Sequence, residues 1–251
     1  YLSQPSGAHE AVEAVDKLHH LGVTTMLRTQ VFGLYDGCVA GMIEQVTDQE
    51  RGHQVRQRMW IIRPRQIIIA TGAIERPVAF GNNDRPSIML AGAVRTYVNR
   101  FAVPPGKHVT VFTNNDDGWR TAADLKASGV DVTALIDTRP DARTDAPDGI
   151  RIVLGQTIIN TAGRLGLRSI TLSNGETIDT DCLAVSGGWN PNVHLTCHQR
   201  GSPVWNEQLA AFVPGADLPV GMAIAGAANG TLTLASALKD GHDKAATIAT
   251  V

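Results

Sequence analysis

The sequence predicts an α/β protein whose parallel strands offer a nucleotide-type site at their carboxyl ends. Three observations lead to this fold class. Three consecutive isoleucines at 67–69 precede Ala-Thr-Gly-Ala, the pattern of a strand that is buried on both faces and ends in small residues. A strand, a helix and a second strand follow one another across 108–136, and the apolar run 182–186 ends in Gly-Gly.

Composition narrows the classes of function. The 251 residues suffice for one large or two ordinary domains, and a net charge of −2 gives no basic excess for binding nucleic acid. No apolar run approaches the length of a membrane span. Cys38, Cys182 and Cys197 are odd in number and lack a CxxC spacing, so neither a disulfide framework nor a zinc site is supported. We expect a cytoplasmic, reduced protein, and the opening Tyr1 leads us to expect a chain cut from a longer one.

The region before the isoleucine strand predicts a helix and an antiparallel meander. Apolar residues recur at helical spacing over 9–21, and a strand is expected over 23–32. Short strands punctuated by glycine continue the meander across 31–62, interrupted by a polar loop at 45–57.

The exit from the isoleucine strand is the first candidate binding position. Gly72 and Ala73 leave room for another backbone or for a ligand, and Pro77 prevents the strand from continuing. The same pattern fits an ordinary buried strand with a tight exit, and hydrophobicity alone does not separate the two interpretations. Glu75 is expected to lie in a solvated turn.

A helix over 88–101 and a linker at Pro104-Pro105-Gly106 come next. The linker is followed by a βαβ unit, whose expected elements are the strand 108–113, the turn 114–118, the helix 119–128 and the strand 130–136. Asp137 follows the second strand, 23 positions after Asn114. A dinucleotide fold places the acid that binds an adenosine ribose at a similar offset, about 20 residues.

The turn of this βαβ unit departs from a glycine-rich phosphate loop. Asn114 and Asn115 stand where glycines would let a pyrophosphate approach, and Asp116 and Asp117 would repel phosphate while capping the helix. We therefore predict a dinucleotide-like unit that binds neither NADH nor NADPH, with Asp137 a solvated strand end.

The later part of the chain repeats the order of meander, buried strand and glycine exit. A strand at 150–154 and the hairpin signal Ser-Asn-Gly-Glu at 173–176 lead to the apolar strand 182–186. The sequence therefore indicates a duplicated architecture.

The stretch 193–218 has no regular period and predicts an irregular surface loop. Its His194, Cys197 and His198 do not make a metal site, because a fourth ligand is lacking. The last expected elements are a strand over 220–225, a glycine-rich turn over 226–230 and a helix over 232–249. The apolar stripe expected on that helix consists of Leu234, Leu238, Ala245 and Ile248. A glycine-rich turn that opens a helix is a suitable anion or nucleotide site, since free N–H groups point outward there.

Several motifs resemble one protein family. Ala-Thr-Gly-Ala-Ile-Glu-Arg-Pro at 70–77, the βαβ insertion, the Gly-Gly exit and the pair Ala225-Gly226 resemble the two-dinucleotide-domain flavoproteins, the pyridine nucleotide–disulfide reductase superfamily. More narrowly, the chain from about residue 22 onward resembles the alpha subunits of heterotetrameric sarcosine oxidases. The segments that carry this resemblance are Gly-Asn-Asn-Asp-Arg-Pro (81–86), Met-Leu-Ala-Gly-Ala-Val-Arg-Thr-Tyr (89–97), Val-Phe-Thr-Asn-Asn-Asp (111–116), Gly-Gly-Trp-Asn-Pro (187–191) and Ala-Gly-Ala-Ala-Asn-Gly-Thr (225–231).

The resemblance implies two Rossmann-like three-layer dinucleotide-binding domains, one inserted in the other. The outer domain would comprise 1–103 and 200–251, and the inserted one 104–199. In that family a strand, a GxGxxG turn and a helix precede the matched region, and this sequence does not include them. We therefore expect a central fragment with an incomplete outer domain, inactive alone and purifying without bound nucleotide.

The resemblance also implies a function. In that family the complex oxidatively demethylates sarcosine to glycine with O2 and tetrahydrofolate, using NAD, FAD and FMN, and the alpha subunit carries NAD. This chain would then belong to an oxidoreductase, carrying NAD in the full-length subunit, with FAD and FMN elsewhere in the complex. The expected partners are the other subunits, including a flavin-carrying beta subunit, and neither nucleic acid nor a membrane.

The residues predicted to contact NAD are Val31, Thr71, Gly72, Ala227, Leu232 and Leu234. In the flavin-binding superfamily the last strand ends in Gly-Asp, and that acid binds the ribityl chain of FAD. Ala227 replaces the acid here, which favours NAD over FAD. No spacing of Ser, His, Cys or carboxylates indicates a catalytic residue, and none is predicted. Other classes stay open: an NAD(P)H-dependent flavin reductase, a subunit of another amine or opine oxidase, and a non-catalytic interaction scaffold.

Overall fold

The chain forms two compact units that alternate along the sequence. The computed structural model describes residues 5–46, 55–142 and 148–249, with side chains from residue 12 to residue 248 within those ranges. The inner unit is built on Glu75–Gly188, and the outer unit on Val15–Ile74 together with the chain from Trp189 onward.

The helices are α1 (Pro5–His20), α2 (Ala91–Phe101), α3 (Asp116–Ala127), α4 (His194–Cys197) and α5 (Leu234–Ala249). The first strands are β1 (Thr29–Tyr35), β2 (Val39–Gln45), β3 (Gln57–Ile62), β4 (Ile67–Ile69), β5 (Ala73–Glu75) and β6 (Ile88–Leu90). The middle strands are β7 (His108–Thr113), β8 (Asp131–Asp137), β9 (Arg151–Leu154), β10 (Ile158–Ala162), β11 (Ser169–Leu172) and β12 (Thr177–Asp179). The last strands are β13 (Cys182–Ser186), β14 (Trp189–Pro191), β15 (Val204–Asn206), β16 (Ala211–Val213) and β17 (Met222–Ile224).

The inner unit has three layers around a parallel sheet. Five parallel strands lie in the order β6-β13-β7-β8-β9. Helices α2 and α3 cover one face, where Trp119 and Leu125 pack in one cluster with Val111. The antiparallel strands β10, β11 and β12 cover the other face, where Ile170 packs in one cluster with Phe112. These five side chains are at most 3% exposed, so the sheet is buried on both faces, as parallel sheets require.

The inner unit confirms the predicted βαβ segment and the predicted apolar strand. All five residues of β13 are buried, and its Cys182 has no exposed surface. The helix predicted over 88–101 is divided, because Ile88–Leu90 extends and pairs with β13 as an edge strand before α2 begins. Residues 75–103 thus group with the inner unit, whereas the sequence analysis assigned 1–103 to the outer domain and began the inserted domain at the 104–106 linker. The assignment of these units to two dinucleotide-binding domains stays a prediction.

The outer unit contains the predicted antiparallel meander and a parallel pair. Strands β1, β2 and β3 form the meander, and β4 pairs in parallel with β17. Leu34, Ile69, Ile224 and Ala228 form its buried core. The expectation that the isoleucine strand is buried on both faces is wrong, since Ile68 is 41% exposed. In the described residues β4 pairs only with β17, and the face that carries Ile68 is open to solvent.

The rest of the outer unit is more regular than predicted. The stretch 193–218 contains α4 and the hairpin β15–β16, in which Trp205 lies opposite Phe212 with ring centroids 5.3 Å apart. That stretch is therefore not an irregular loop. The strand expected over 23–32 begins only at Thr29, and the strand expected over 220–225 covers Met222–Ile224. The α/β class with a parallel sheet is confirmed.

Candidate functional site

The carboxyl ends of β4 and β17 meet at one edge of the outer unit. The two strands pair in register from Ile67 opposite Met222 to Ile69 opposite Ile224. Beyond the pair, the amide of Ala225 donates to the carbonyl of Ile69 over 2.9 Å. Because parallel strands end together, the exits that contain Thr71 and Ala227 lie side by side, at the edge where open α/β sheets bind ligands.

The turn after β17 is a 3₁₀ turn, Gly226–Asn229, that one carboxylate of α5 holds in place. Gly226 has φ +69°, which favours glycine, and its amide donates to Asp240 Oδ2 over 2.9 Å. The side-chain amide of Asn229 donates to the same oxygen over 3.1 Å. Asp240 therefore fixes the turn that leads to the start of α5. Sequence reasoning missed this residue, and its position within a helical run gives no signal of the role.

The exit after β4 is tied to a segment far along the chain. Thr71 Oγ1 donates to the Asn192 carbonyl over 3.1 Å, and the Asn192 side-chain amide donates to the Thr71 carbonyl over 2.9 Å. The Asn192 backbone amide donates to the Gly72 carbonyl over 3.0 Å. Gly72 has φ +73°, and a Cβ built on it would meet nothing within 4 Å. Glycine is thus needed here for its backbone conformation, and no described backbone lies close to the position that its Cβ would take, while the predicted room for a ligand stays a prediction.

The remaining predicted contact residues lie in the same unit. Val31 packs against the outer core cluster from β1. Ala227 is part of the 3₁₀ turn, and Leu232 and Leu234, each 38% exposed, lie where the chain enters α5. Leu238 is 62% exposed, so the apolar stripe of α5 is open to solvent in the described structure. The six residues come from β1, from the two strand exits and from the start of α5. Their contact with NAD stays a prediction.

In the inner unit, Asp137 is not the solvated strand end that the sequence predicted. It has no exposed surface. Its Oδ2 accepts from Trp119 Nε1 over 2.7 Å and from Arg139 Nη2 over 2.7 Å, and its Oδ1 accepts from the Arg139 amide over 2.9 Å. The expectation failed because the partners that compensate the buried charge come from α3 and from the turn after β8, which the local pattern around Asp137 does not show.

The start of α3 is also filled by side chains. Asn115 is the N-cap residue, and its Oδ1 accepts from the Asp117 amide over 2.9 Å. Thr113, Asn115 and Gly118 occupy the three glycine positions of a GxGxxG spacing. Only Gly118 retains the glycine, and a Cβ there would lie inside the van der Waals radius of Thr113, 2.6 Å from its Cγ2. This unit thus keeps the close packing of helix on strand but not the open phosphate loop.

Two further charged groups are buried beside α2. Arg95, 6% exposed, donates from Nε to Asp124 over 2.8 Å and from Nη1 to Asp117 over 3.2 Å, which ties α2 to α3. Glu75 is also 6% exposed and accepts from the Gly92 amide over 2.7 Å, so it is not in a solvated turn. Burial raises the pKa of the Glu75 carboxyl, and the hydrogen bond from Gly92 opposes that rise.

The Gly-Gly exit of β13 lets another segment of the chain pass close by. A Cβ on Gly187 would lie 2.8 Å from the carbonyl oxygens of both Arg76 and Pro77. The Gly187 amide donates to the Arg76 carbonyl over 2.8 Å, and the Arg76 amide donates to the Gly188 carbonyl over 2.9 Å. Backbone from the same unit therefore occupies the space beside Gly187, and the Arg76 side chain occupies the space beside Gly188.

An open cavity of about 700 Å³ lies at the opposite, amino end of the inner sheet. Its polar groups pair among themselves, since His108 Nδ1 lies 2.7 Å from Asp131 Oδ2 and Asp181 accepts from the amides of Lys107 and His108. Burial raises the pKa of the Cys182 thiol to about 12, and the nearby Asp181 carboxylate adds to that rise.

His198, which the sequence analysis weighed as a metal ligand, has a structural contact, since its Nδ1 accepts from the Leu34 amide over 3.3 Å. Within the described ranges, no group of three His, Cys, Asp or Glu side chains could hold a metal ion. None of the described helices is long and apolar enough to cross a membrane.

Comparison of the sequence with known proteins gives consistent relatives. The chain is 40% identical over 250 residues to the sarcosine oxidase subunit alpha of Rhizobium meliloti (strain 1021), a match that covers 97% of this chain and 25% of that protein. It is 39% identical over 246 residues to the sarcosine oxidase subunit alpha of Corynebacterium sp. (strain P-1), covering 90% of this chain and 25% of that protein. No family model matches the chain. The resemblance to sarcosine oxidase alpha subunits is confirmed, and the chain spans about a quarter of the length of these relatives.

Comparison of the structure identifies the fold. Thioredoxin reductase of Lactococcus lactis superposes with a TM-score of 0.71 at 14% identity, covering 97% of this chain and 80% of that one. L-Proline dehydrogenase of P. horikoshii gives 0.59 at 18% identity, covering 80% and 36%. The water-forming NADH oxidase of Lactobacillus brevis bound to NADH gives 0.55 at 18% identity, covering 78% and 47%. The chain therefore shares the Rossmann-type α/β fold of these solved structures.

Proposed function

We propose that this chain is the segment of a sarcosine oxidase alpha subunit that carries NAD, with the dinucleotide held by the outer unit. The observation that carries the proposal is the 40% identity to a sarcosine oxidase subunit alpha along 97% of the chain. The proposal assigns the segment to an oxidoreductase and gives it a binding role, with no catalytic residue of its own.

The edge geometry of the outer unit supports a dinucleotide at this place. The exits of β4 and β17 lie side by side, and the Gly226 turn leads to the start of the sixteen-residue helix α5. Amides at a helix start favour the negative charge of a pyrophosphate, and those at the start of α5 are the ones offered here, because the Gly226 amide already donates to Asp240. Leu232 and Leu234 are each 38% exposed at this point and supply apolar surface for a flat ring. Val31, Thr71 and Gly72 complete the proposed contacts, with Thr71 and Gly72 held by Asn192.

The choice of NAD over FAD rests on Ala227. An acid at this position would accept a hydrogen bond from a ribityl hydroxyl, whereas the methyl group of Ala227 cannot. A buried hydroxyl left without its acceptor costs roughly 1–3 kcal/mol, which changes an equilibrium constant by tenfold or more. Asp240 lies on α5, and its Oδ2 is already engaged by the Gly226 amide and by Asn229.

The proposed partners and reaction rest on the resemblance to the sarcosine oxidase alpha subunits. The subunit would act with a flavin-carrying beta subunit in a complex that contains FAD and FMN and oxidatively demethylates sarcosine to glycine with O2 and tetrahydrofolate. An interaction scaffold without nucleotide is the second candidate, because the exits at Thr71 and Gly72 already satisfy their polar groups through Asn192.

Released nucleotide tests the proposal. The full-length polypeptide that contains this segment is purified, denatured and its released nucleotides are identified by mass, and we expect about one equivalent of NAD. The matched variant is Ala227→Asp, which adds a carboxylate at the proposed pocket and is expected to lower the NAD retained. The control is Ala246→Asp on the exposed surface of α5, expected to retain NAD. FAD without NAD in the extract would overturn the choice of cofactor, and no nucleotide at all would favour the scaffold.

A further inference from the structure

Side chains of the inner unit occupy the edge where a dinucleotide would bind. A dinucleotide fold needs two open positions there. One is the acid at the end of the second strand, which binds a ribose, and the other is the set of amides at the first helix start, which binds the pyrophosphate. In this unit those positions correspond to Asp137 after β8 and to the start of α3.

The hydrogen-bonding capacity of Asp137 is full. A carboxylate has about four lone-pair sites. Oδ1 accepts from the amide and from Nε of Arg139 over 2.9 and 3.1 Å. Oδ2 accepts from Arg139 Nη2 and from Trp119 Nε1, each over 2.7 Å. A ribose hydroxyl could bind only by displacing one of these donors from a carboxylate that has no exposed surface.

The start of α3 is occupied in the same way. Asn115 Oδ1 accepts from the Asp117 amide over 2.9 Å, and Asn115 Nδ2 donates to the carbonyl and hydroxyl of Ser186 over 3.0 and 3.2 Å. Arg139 Nη1 lies 2.8 Å from Asp116 Oδ1. Arg139, which donates to Asp137, therefore also pairs with a carboxylate at the start of α3. Two acids in the first turn already complement the helix dipole that would otherwise attract phosphate.

We propose that the inner unit binds its own side chains in place of a dinucleotide: Arg139 satisfies the ribose-binding acid Asp137, and Asn115 occupies the pyrophosphate position. The unit is then a nucleotide-independent domain, and these two residues are what exclude NAD(H). The proposal concerns the inner unit and does not depend on the function proposed for the outer one.

Hydrogen–deuterium exchange of the full chain tests this, because it separates the two units by peptide. NADH at millimolar concentration is expected to leave exchange over 113–139 unchanged in the wild type, whatever it does over 225–249. The double variant Asn115→Gly with Arg139→Ala opens both positions. It is expected to bind NADH at least about tenfold more tightly than the wild type does, seen as protection over 113–139. The control is Arg120→Ala, which likewise removes an arginine, but one on α3 whose side chain is 55% exposed and contacts Asp117, not Asp137.

The outcomes decide the proposal in each case. Protection over 113–139 in the wild type overturns it, and so does an opened variant that is folded by circular dichroism yet gains no more than Arg120→Ala. If the double variant does not fold, Asn115→Gly alone carries the test, because glycine is well tolerated at a helix N-cap. That single variant opens only the pyrophosphate position, so its probe is inorganic pyrophosphate, which is expected to protect 113–119 more than in the wild type, and no gain overturns the proposal. A change confined to 225–249 concerns the outer unit alone.

Discussion

Replacing Gly118 with Ala is expected to destabilise the inner unit, although Ala is the better helix former. Thr113, against which the new Cβ would press, has no exposed surface, donates to the Asn115 carbonyl over 3.0 Å and accepts from the Asn115 amide over 3.1 Å. The Thr113 side chain cannot move away from the new Cβ without losing these two hydrogen bonds to Asn115. Overpacking of this kind costs typically about 1–3 kcal/mol and sometimes more, while the helix-propensity gain of Ala over Gly is about 1 kcal/mol.

The net expectation is a loss of about 1 kcal/mol, which lowers the melting temperature of a unit of roughly one hundred residues by about 4–8 °C. The matched control is Gly241→Ala in the middle of α5, where a new Cβ meets nothing within 4 Å and the same substitution is expected to stabilise by up to about 1 kcal/mol. Thermal unfolding followed by circular dichroism, with hydrogen exchange to locate the change, measures both variants. A Gly118→Ala variant as stable as the wild type would show that helix α3 does not pack on β7 as closely as described.

Three further changes test other contacts. Arg95→Ala leaves Asp117 and Asp124 without their buried partner and is expected to cost about 3 kcal/mol in urea unfolding, the lower end for breaking a buried pair because Asp124 is 35% exposed; a loss below about 1 kcal/mol would contradict a buried pair. Glu75 has a folded pKa above the unfolded value of 4.5, so its contribution to stability is present below that pH and is lost as the pH rises through the folded pKa. Glu75→Gln should therefore gain stability relative to the wild type as the pH rises above 4.5, and a difference independent of pH would refute this. Asn192→Ala removes the one side-chain hydrogen bond among the three that tie Asn192 to the Thr71–Gly72 exit, and faster hydrogen exchange over 67–74 is expected, while unchanged exchange would show that the two hydrogen bonds of the Asn192 backbone suffice to hold the exit.

Local sequence patterns were sufficient to predict the strands that are buried along nearly their whole length. The strands 108–113 and 182–186 are apolar at nearly every position, and the structure places both in the centre of the parallel sheet. The isoleucine run at 67–69 has the same pattern, yet Ile68 is 41% exposed, because a strand sequence does not state how many layers cover it.

Contacts between distant residues could not be predicted in this way. Asn192 reaches Thr71 across 121 positions, and the hydrogen bonds join two exits whose sequences carry no complementary signal. The burial of Asp137 likewise depends on Trp119, which a helix brings back from 18 positions earlier. The candidate residues Thr71, Gly72 and Ala227 were found because glycine-rich strand exits are visible in the sequence, whereas the residues that hold them were not.

The reactivity of the buried Cys182 thiol can report on the opening of the inner sheet. With a pKa of about 12, only roughly one thiol in ten thousand is ionised at pH 8, and the closed strand also shields it from reagents. Cys197 is exposed and Cys38 is half-buried, so they are accessible to an alkylating reagent while the sheet is closed. Alkylation of Cys182 then proceeds only as fast as β13 parts from its neighbours β6 and β7. The rate of Cys182 alkylation in the intact protein therefore measures how often the centre of this sheet opens. An oxidant in a living cell could reach the thiol only through the same opening.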